Sequence, residues 1–295
     1  MNIALLGTEN SHAITFVREM QKDKEKYADI NVVGICGCEE KANQQIKEIL
    51  PNVRIYENFS ECIGNVDAAM ITSRHGKYHY EYALPLIKEG MPLFIDKPFA
   101  DSPKHVKHII ELARDYGCPI CGGSSLKHLA GTKELKDLFD SSEKVLAGTV
   151  CAPINMVNPY GDFLFYSQHL IELMASVFGY DVKSLYAYCP DNTKNRVTVI
   201  FNYGDFDVTA HYYDSYVYSA EIFAKICGKT KHKSVITDDV SDCFVKELDE
   251  FIELAKTRQM TYSYDEFAKP AVLLDAIMQS YSSQKIVKIS YMHFE

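Results

Sequence analysis

The sequence predicts an α/β fold. A doubly wound parallel sheet is expected in the first half, and an α+β domain with a large, open, mostly antiparallel sheet in the second. From residue 2 to about residue 123, short apolar segments alternate with amphipathic segments of helical period. Apolar strands that alternate with helices are typical of a parallel sheet covered on both faces, and right-handed crossovers make it doubly wound. After residue 124, period-two strands and a turn at residues 202–205 indicate antiparallel pairing.

The length of the chain fits this division. At 295 residues, the chain is long for one hydrophobic core and suits two domains. The change of pattern places the first domain at residues 1–123 and the second at residues 124–295.

The elements of the first domain follow from its apolar segments. The predicted strands occupy residues 3–6, 30–36, 66–72, 92–95 and 119–123. Between them, apolar side chains recur at helical spacing, as at Phe16, Val17 and Met20. Ligands of doubly wound folds bind beyond the C-terminal ends of the strands. Those ends are polar or ionisable and lie at residues 7–12, 37–39, 73–79, 96–98 and 122–127.

The second domain is predicted to form one sheet with helices on one face. Its strands are expected at residues 145–154, 194–216 (a hairpin), 218–228 and 284–290, and its helices near residues 160–179, 241–257 and 264–280. The uncovered face of such a sheet needs a partner, so we expect a homo-oligomer, a dimer or tetramer, through it. The aromatic stretch Tyr212–Tyr216 is assigned to that interface.

Composition and charge exclude several classes of function. The net charge of −9 argues against a nucleic-acid or anionic-membrane partner. Apolar runs stay well short of the ~20 residues of a membrane span, and the N-terminus does not resemble a signal peptide. Nine scattered cysteines, with close pairs at Cys36–Cys38 and Cys118–Cys121, fit free thiols in a reducing cytoplasm. We therefore expect no metal site.

The most specific stretch is PLFIDKPFADSPKHVKHIIELARDYGCPICGG, residues 92–123. It resembles the Gfo/Idh/MocA family of glucose–fructose oxidoreductase and inositol dehydrogenase. In that family, a strand ends in Glu-Lys-Pro before a helix of this length; here the motif is Asp96-Lys97-Pro98. His79 stands at the histidine position of the preceding helix, and Ser73-Arg74 replaces the usual Thr-Pro. The resemblance implies a Rossmann-like first domain, a nicotinamide cofactor and a catalytic role for Lys97.

Physical chemistry is consistent with that role for Lys97. A lysine at the end of a buried strand has its ammonium group held in a cleft, and burial lowers its pKa. Proton donation or acceptance near neutral pH then becomes feasible. Pro98 removes a backbone donor and fixes the turn that follows the lysine.

The phosphate loop departs from the Gly-x-Gly-x-x-Gly pattern of dinucleotide sites. Gly7 holds the first glycine position, but Glu9 and His12 occupy the other two, and Glu9 opposes a diphosphate by like charge. The amides at the start of the helix and the cations at residues 74–77 offset this charge. Glu39 is the candidate acid for the adenosine ribose. No arginine follows it to favour a 2′-phosphate, so we expect NAD over NADP. The expected cofactor-binding residues are Gly7, Thr8, Glu9, Asn10, Ser11, His12, Glu39, Ser73, Arg74, His75, Asp96 and Lys97.

In the second domain, the resemblance points to a histidine and a lysine. His169 matches the family's catalytic histidine, although Phe165 stands where the family has an aspartate four residues earlier. Lys127 matches the basic residue at the junction of the domains. We expect His169 to act as a general base, and His79, Lys127, Tyr166 and His169 to bind the substrate.

The resulting hypothesis is an NAD(P)-dependent dehydrogenase. It moves a hydride between nicotinamide and a secondary alcohol of a sugar, cyclitol or related polyol. Two alternatives remain open at this point: a non-catalytic nucleotide- or sugar-binding regulatory protein on the same fold, and NAD-dependent, redox-neutral hydrolysis of a glycoside. The sequence leaves open the substrate, its stereochemistry and the direction of reaction.

Overall fold

The structure, a computed structural model, describes residues 1–189, 195–214, 222–237 and 240–291. The helices are α1 (Ser11–Lys22), α2 (Glu40–Ile49), α3 (Gly76–Lys88), α4 (Pro103–Asp115), α5 (Thr132–Ser141), α6 (Phe163–Phe178), α7 (Ser241–Thr257) and α8 (Tyr264–Ser283). The strands are β1 (Asn2–Leu6), β2 (Asn31–Cys36), β3 (Arg54–Ile55), β4 (Ala68–Ile71), β5 (Leu93–Asp96), β6 (Ile120–Gly123), β7 (Val145–Ile154), β8 (Ser184–Tyr188), β9 (Arg196–Asn202), β10 (Asp207–Asp214), β11 (Ile222–Gly228), β12 (His232–Thr237) and β13 (Val287–Lys288). Short 3-10 helices lie at Phe59–Cys62 and Ser125–His128.

The chain forms two compact units, and each unit consists of two separate segments of the sequence. The first unit comprises Met1–Gly123 and Phe244–Ala268, and the second comprises Ser124–Cys243 and Lys269–Glu295. Residues 244–268 therefore correct the sequence-based division, which placed them in the second domain. The physical reason is the apolar face of α7: Phe251 is fully buried and its ring lies 6.3 Å from that of Phe94 in β5.

The first unit contains a parallel sheet of six strands. Their order is β3-β2-β1-β4-β5-β6, and each neighbouring pair is parallel. Every residue of β4, β5 and β6 is buried, which explains why these strands are almost continuously apolar in the sequence. The order reverses beside β1, as in doubly wound folds, and confirms the predicted fold class.

The second unit contains a mixed sheet of seven strands. Their order is β12-β11-β7-β10-β9-β8-β13. β7 and β10 are parallel, and the other neighbours are antiparallel. This arrangement confirms the large, mostly antiparallel sheet that the sequence predicts.

The predicted hairpin corresponds to β9 and β10. Phe201 pairs with Val208, and the side-chain oxygen of Asn202 accepts a hydrogen bond of 3.2 Å from the Gly204 amide in the turn. On this hairpin, Tyr212 faces the core and is 1% exposed, which corrects its assignment to an interface. Ser215 and Tyr216, the end of that aromatic stretch, lie outside the described residues.

Two further observations concern the described parts of the chain as a whole. Helices long and apolar enough to cross a membrane are absent from these ranges. All nine cysteines are free thiols, with Cys38 exposed and Cys62, Cys118, Cys121, Cys189 and Cys243 buried.

Candidate functional site

The candidate site of the first unit lies where the parallel strands reach their C-terminal ends. Gly7 follows β1 with a φ of +98°, and a Cβ added there would lie 2.2 Å from the amide nitrogen of Ser73, which follows β4. Glycine is therefore required where these two strand ends approach each other. The neighbouring Thr8 is buried, and its hydroxyl donates a hydrogen bond of 2.5 Å to the side chain of Asn43 in α2.

The loop then enters α1 through Asn10 and His12. The Asn10 side chain accepts a hydrogen bond from the His12 amide and so caps the helix, while its amide group donates to Asp96 Oδ2 at 3.2 Å. The His12 ring is buried, and its Nδ1 lies 2.7 Å from the same Asp96 oxygen. The residue that replaces the third glycine is therefore a partner of the Asp-Lys-Pro turn. Ser11, also expected at the cofactor, is exposed in the first turn.

Asp96 is the centre of this network. It is fully buried at the end of β5, and its Oδ1 accepts a hydrogen bond of 2.7 Å from the Lys97 amide. Burial acts to raise the pKa of Asp96, but the positive charges of His12, Lys97 and His79 outweigh it and hold the pKa below its ordinary value. Asp96 is thus an ionised carboxylate that anchors the start of α1 and the backbone of Lys97.

Replacing Asp96 with asparagine is expected to lower the free energy of unfolding by about 2 kcal/mol, since it removes the charged acceptor of Asn10 and His12. The pKa of Asp96 is lower in the folded protein than in the unfolded chain, where it is near 4. The carboxylate therefore stabilises the protein at pH values above about 4, and this stabilisation is lost as the pH falls. The loss should therefore be full at neutral pH and shrink in acid. Urea unfolding of both proteins across that range checks it, and an equal loss at acid and neutral pH would contradict the ionic role.

Lys97 follows Asp96 and is 2% exposed. Burial lowers its pKa to about 8, against the negative charges of Asp96 and Glu247, which raise it. The amine can therefore lose and regain a proton close to neutral pH, as the sequence predicts for this position. Glu247, on α7, is a residue that sequence reasoning missed.

His79 has a structural role that corrects its predicted contact with substrate. The ring is completely buried, with Nδ1 2.8 Å from the carbonyl oxygen of Pro98 and Nε2 2.6 Å from that of Ser73. Burial lowers its pKa. Both ring nitrogens are engaged by backbone, so His79 joins the loop after β4 to the Asp-Lys-Pro turn and does not face a ligand.

Glu9 lies against the end of β2 and is 6% exposed. Burial raises the pKa of the Cys36 and Cys38 thiols, and the Glu9 charge raises both further. Its Oε2 is buried and lacks a hydrogen-bond partner among the described residues. Glu9, at the second glycine position, therefore has a buried carboxylate oxygen that can still accept a hydrogen bond.

Three other predicted cofactor residues line the edge of this site. Arg74 forms an ion pair of 2.5 Å with Glu39, which joins the ends of β4 and β2. The sequence predicts Arg74 as a cation for the phosphates and Glu39 as the acid for the ribose. In the structure, these two charges are paired with each other. His75 was also predicted to bind the cofactor, and the structure gives it a different role. Its Nδ1 accepts a hydrogen bond from the Lys77 amide, so its side chain caps α3.

In the second unit, His169 has a partner that the sequence analysis did not find. Its Nδ1 lies 2.6 Å from the hydroxyl oxygen of Ser124, which also accepts a hydrogen bond from the Leu126 amide. The half-buried ring stacks with Tyr166 at 5.7 Å. Phe165, at the family's aspartate position, is buried among aromatic rings. The Gly-Ser-Ser run that begins with the last residue of β6 was the available signal for Ser124.

Two remaining predictions concern Lys127 in the second unit and metal ions in the whole chain. Lys127 is half-buried in the 3-10 helix Ser125–His128. Groups of three or more His, Cys, Asp or Glu side chains placed to hold a metal ion do not occur within the described ranges.

Comparison with known proteins confirms the family resemblance over residues 1–123. Residues 1–123 match the sequence model GFO_IDH_MocA, described as "Oxidoreductase family, NAD-binding Rossmann fold". Among curated proteins, inositol 2-dehydrogenase of Azotobacter vinelandii is 30% identical over 105 residues, which cover 35% of this chain and 31% of that relative.

Solved structures extend the likeness of fold to nearly the whole chain. A probable dehydrogenase from Thermotoga maritima is 17% identical, with a TM-score of 0.83 over 98% of both chains. Myo-inositol 2-dehydrogenase from Lactobacillus plantarum is 14% identical, with a TM-score of 0.84 over 98% of this chain and 99% of that one. Scyllo-inositol dehydrogenase from Lactobacillus casei, solved with NAD(H) and scyllo-inositol, is 12% identical, with a TM-score of 0.82 over 98% of both chains.

Proposed function

We propose that the protein is an NAD-dependent dehydrogenase of a polyol, because residues 1–123 match the model of the Gfo/Idh/MocA oxidoreductase family. The substrate class is a sugar, cyclitol or related compound with a secondary alcohol. The observation that carries the proposal is Lys97, a buried amine with a pKa of about 8 in the Asp-Lys-Pro turn of the matched domain. Such an amine is suited to exchange a proton with an alcohol at neutral pH.

The reaction divides between the cofactor and the chain. Bound nicotinamide supplies the hydride chemistry. Lys97 polarises the reacting hydroxyl and relays its proton when the alcohol is oxidised, or returns it when the carbonyl is reduced. Asp96 fixes the backbone of Lys97 through the hydrogen bond from its amide.

His169 is proposed as a general base, oriented by Ser124 instead of an aspartate. A hydroxyl at 2.6 Å from Nδ1 fixes the ring, although it gives less support to an imidazolium than a carboxylate would. Lys127 and Tyr166 are proposed to contact hydroxyl groups of the substrate. His79 instead supports the turn that carries Lys97.

The residues of the first unit fit the adenosine end of NAD. The ribose offers two hydroxyl donors, and Glu9 offers a buried acceptor oxygen that lacks a partner among the described residues. Glu9 also lies at the end of β2, where doubly wound folds hold the ribose. We therefore assign the ribose contact to Glu9. Its negative charge repels the additional phosphate of NADP and supports a preference for NAD.

Replacing Glu9 with glutamine should weaken that preference. We expect NADH affinity to fall about fivefold through loss of a charged acceptor, and NADPH affinity to rise about tenfold through loss of repulsion. Isothermal titration of both cofactors measures the ratio. Glu39→Gln is the matched control and should alter the ratio far less. A larger change of the affinity ratio in Glu39→Gln than in Glu9→Gln would assign the ribose contact to Glu39 instead.

The first test of the proposed function is titration of the purified protein with NAD⁺, NADH, NADP⁺ and NADPH, after assay for retained cofactor. Micromolar or tighter binding of NAD⁺ and NADH supports the proposal, and a screen of polyols for NAD⁺ reduction then finds the substrate. An absence of binding and of retained cofactor contradicts it and favours a regulatory protein. Turnover of a glycoside without net NAD⁺ reduction would favour redox-neutral hydrolysis.

A homo-oligomer through the second-unit sheet is also part of the proposal. Large apolar side chains stand exposed on its strands, including Leu146 at 51%, Tyr188 at 51%, Ile200 at 42% and Ile236 at 56%. A surface of this kind is typical of interfaces.

We also propose a cytoplasmic location, since free thiols are typical of a reducing compartment.

A further inference from the structure

Glu247 is a fully buried carboxylate on α7, outside the motif that identifies the site. A buried carboxylate is costly unless a positive charge compensates for it. The position of α7 against the first sheet identifies that charge.

Two aromatic residues on the same helix face fix where Glu247 lies. Phe244 precedes it by three residues, and its ring lies 4.9 Å from the ring of His12. Phe251 follows it by four residues, and its ring lies 6.3 Å from that of Phe94. Positions separated by three and four residues share one face of a helix. Glu247 therefore faces the region between the start of α1 and the end of β5.

That region holds the Asp-Lys-Pro turn. Phe94 lies two residues before Asp96, and the His12 ring contacts the Asp96 carboxylate. Lys97 is buried there, and the negative charge of Glu247 acts to raise its pKa. The charged groups that act on Lys97 include Asp96 and Glu247, which favour its protonated form. The Lys97 charge in turn lowers the pKa of the neighbouring His79.

We propose that Glu247 is a positioning residue for Lys97: its carboxylate holds the ammonium group at the end of β5 and balances its charge there. Asp96 acts on the same ammonium group, but its oxygens also serve the Lys97 amide, Asn10 and His12. The inference rests on the proposed function for its catalytic meaning. The placement of the charge does not depend on that function.

The deciding experiment follows the protonation of Lys97 without cofactor or substrate. Protein labelled with 13C at lysine Cε is titrated by NMR from neutral to alkaline pH, and the Lys97 signal is assigned by its loss in Lys97→Met. In Glu247→Gln, the Lys97 midpoint should fall by about one pH unit, because a neighbouring negative charge is removed. In Glu247→Asp, which keeps the charge at greater distance, the fall should be smaller.

Glu253→Gln is the matched control, since it removes the same charge from the exposed side of the same helix. It should leave the Lys97 midpoint unchanged. An unchanged midpoint in Glu247→Gln, or an equal fall in Glu253→Gln, overturns the inference. Where Glu247→Gln does not fold, Glu247→Asp decides, and an unchanged midpoint in that variant overturns the inference.

The catalytic reading of the same variant is separate. Oxidation of an alcohol requires neutral Lys97, so the rate rises with pH through its pKa, and the rising limb should move to lower pH in Glu247→Gln by the NMR shift. An NMR shift with no dehydrogenase activity in the wild-type protein would retain the placement of Glu247 and reject the proposed function. If the Lys97 midpoint shifts in Glu247→Gln but the pH dependence of its activity stays as in the wild-type protein, the role of Glu247 in catalysis would be rejected.

Discussion

Replacing Lys97 with methionine is expected to lower kcat for polyol oxidation by about 10³-fold, within the range for loss of a general acid or base. Methionine approximates the length and apolar stem of lysine, so the buried position stays filled. The affinity for NADH should remain within about threefold of the wild-type value, because the change removes proton transfer and leaves the rest of the cofactor site. Steady-state kinetics with the polyol found in the screen, together with NADH titration, measure both quantities.

The control for this variant is Lys104→Met, which removes an exposed lysine at the start of α4. It should leave kcat and NADH affinity unchanged. If Lys97→Met retained more than about a tenth of the wild-type kcat, general acid–base catalysis by Lys97 would be rejected. The proton would then have to pass through another group, of which His169 is the first to test by His169→Gln.

Gly7→Ala is expected to have the largest effect on stability. The added methyl group would lie 2.2 Å from the Ser73 amide nitrogen and 2.4 Å from its Cα, so the backbone of one strand end must move. Residue 7 also has a φ of +98°, which disfavours alanine. We expect a loss of at least about 4 kcal/mol of unfolding free energy, with recovery of little folded protein. Thermal and urea unfolding measure the loss.

The steric and conformational parts of this loss can be separated within the chain. Gly64 has a φ of +75°, but a Cβ added there would meet no atom of the described residues within 4 Å. Gly64→Ala should therefore cost about 1 kcal/mol, from backbone conformation alone. Equal losses in Gly7→Ala and Gly64→Ala would show that the close approach of the β1 and β4 ends does not limit stability.

The fold was predictable because its main strands are buried and continuous in the sequence. β1, β4, β5 and β6 stand out as apolar runs, and the motif at Lys97 locates the end of β5. β3 escaped prediction since it consists of Arg54 and Ile55, too short to show a period. α7 was predicted as a helix, but its membership of the first unit depends on tertiary contacts such as Phe251 with Phe94, which local patterns do not encode.

The candidate site was predictable in its residue types more than in their roles. Polar residues at strand ends were expected to face a ligand, but a side chain there can serve the neighbouring backbone equally well. His79 and His75 do so, through carbonyls and a helix cap. His12 and Glu9 looked like defects in a glycine loop, and the structure gives one a partner in Asp96 and places the other against β2. These choices depend on distances between strands.

The discontinuity of the first unit has a consequence for synthesis on the ribosome. Residues 124–243, 120 residues in all, are made between its two segments. At about 5–20 residues per second, residues 1–123 wait on the order of 10 s for α7. During that interval, the nascent sheet exposes Phe94 and His12, and Lys97 is without the carboxylate of Glu247. The surroundings of Lys97 in the folded protein are therefore completed only after most of the chain has been translated.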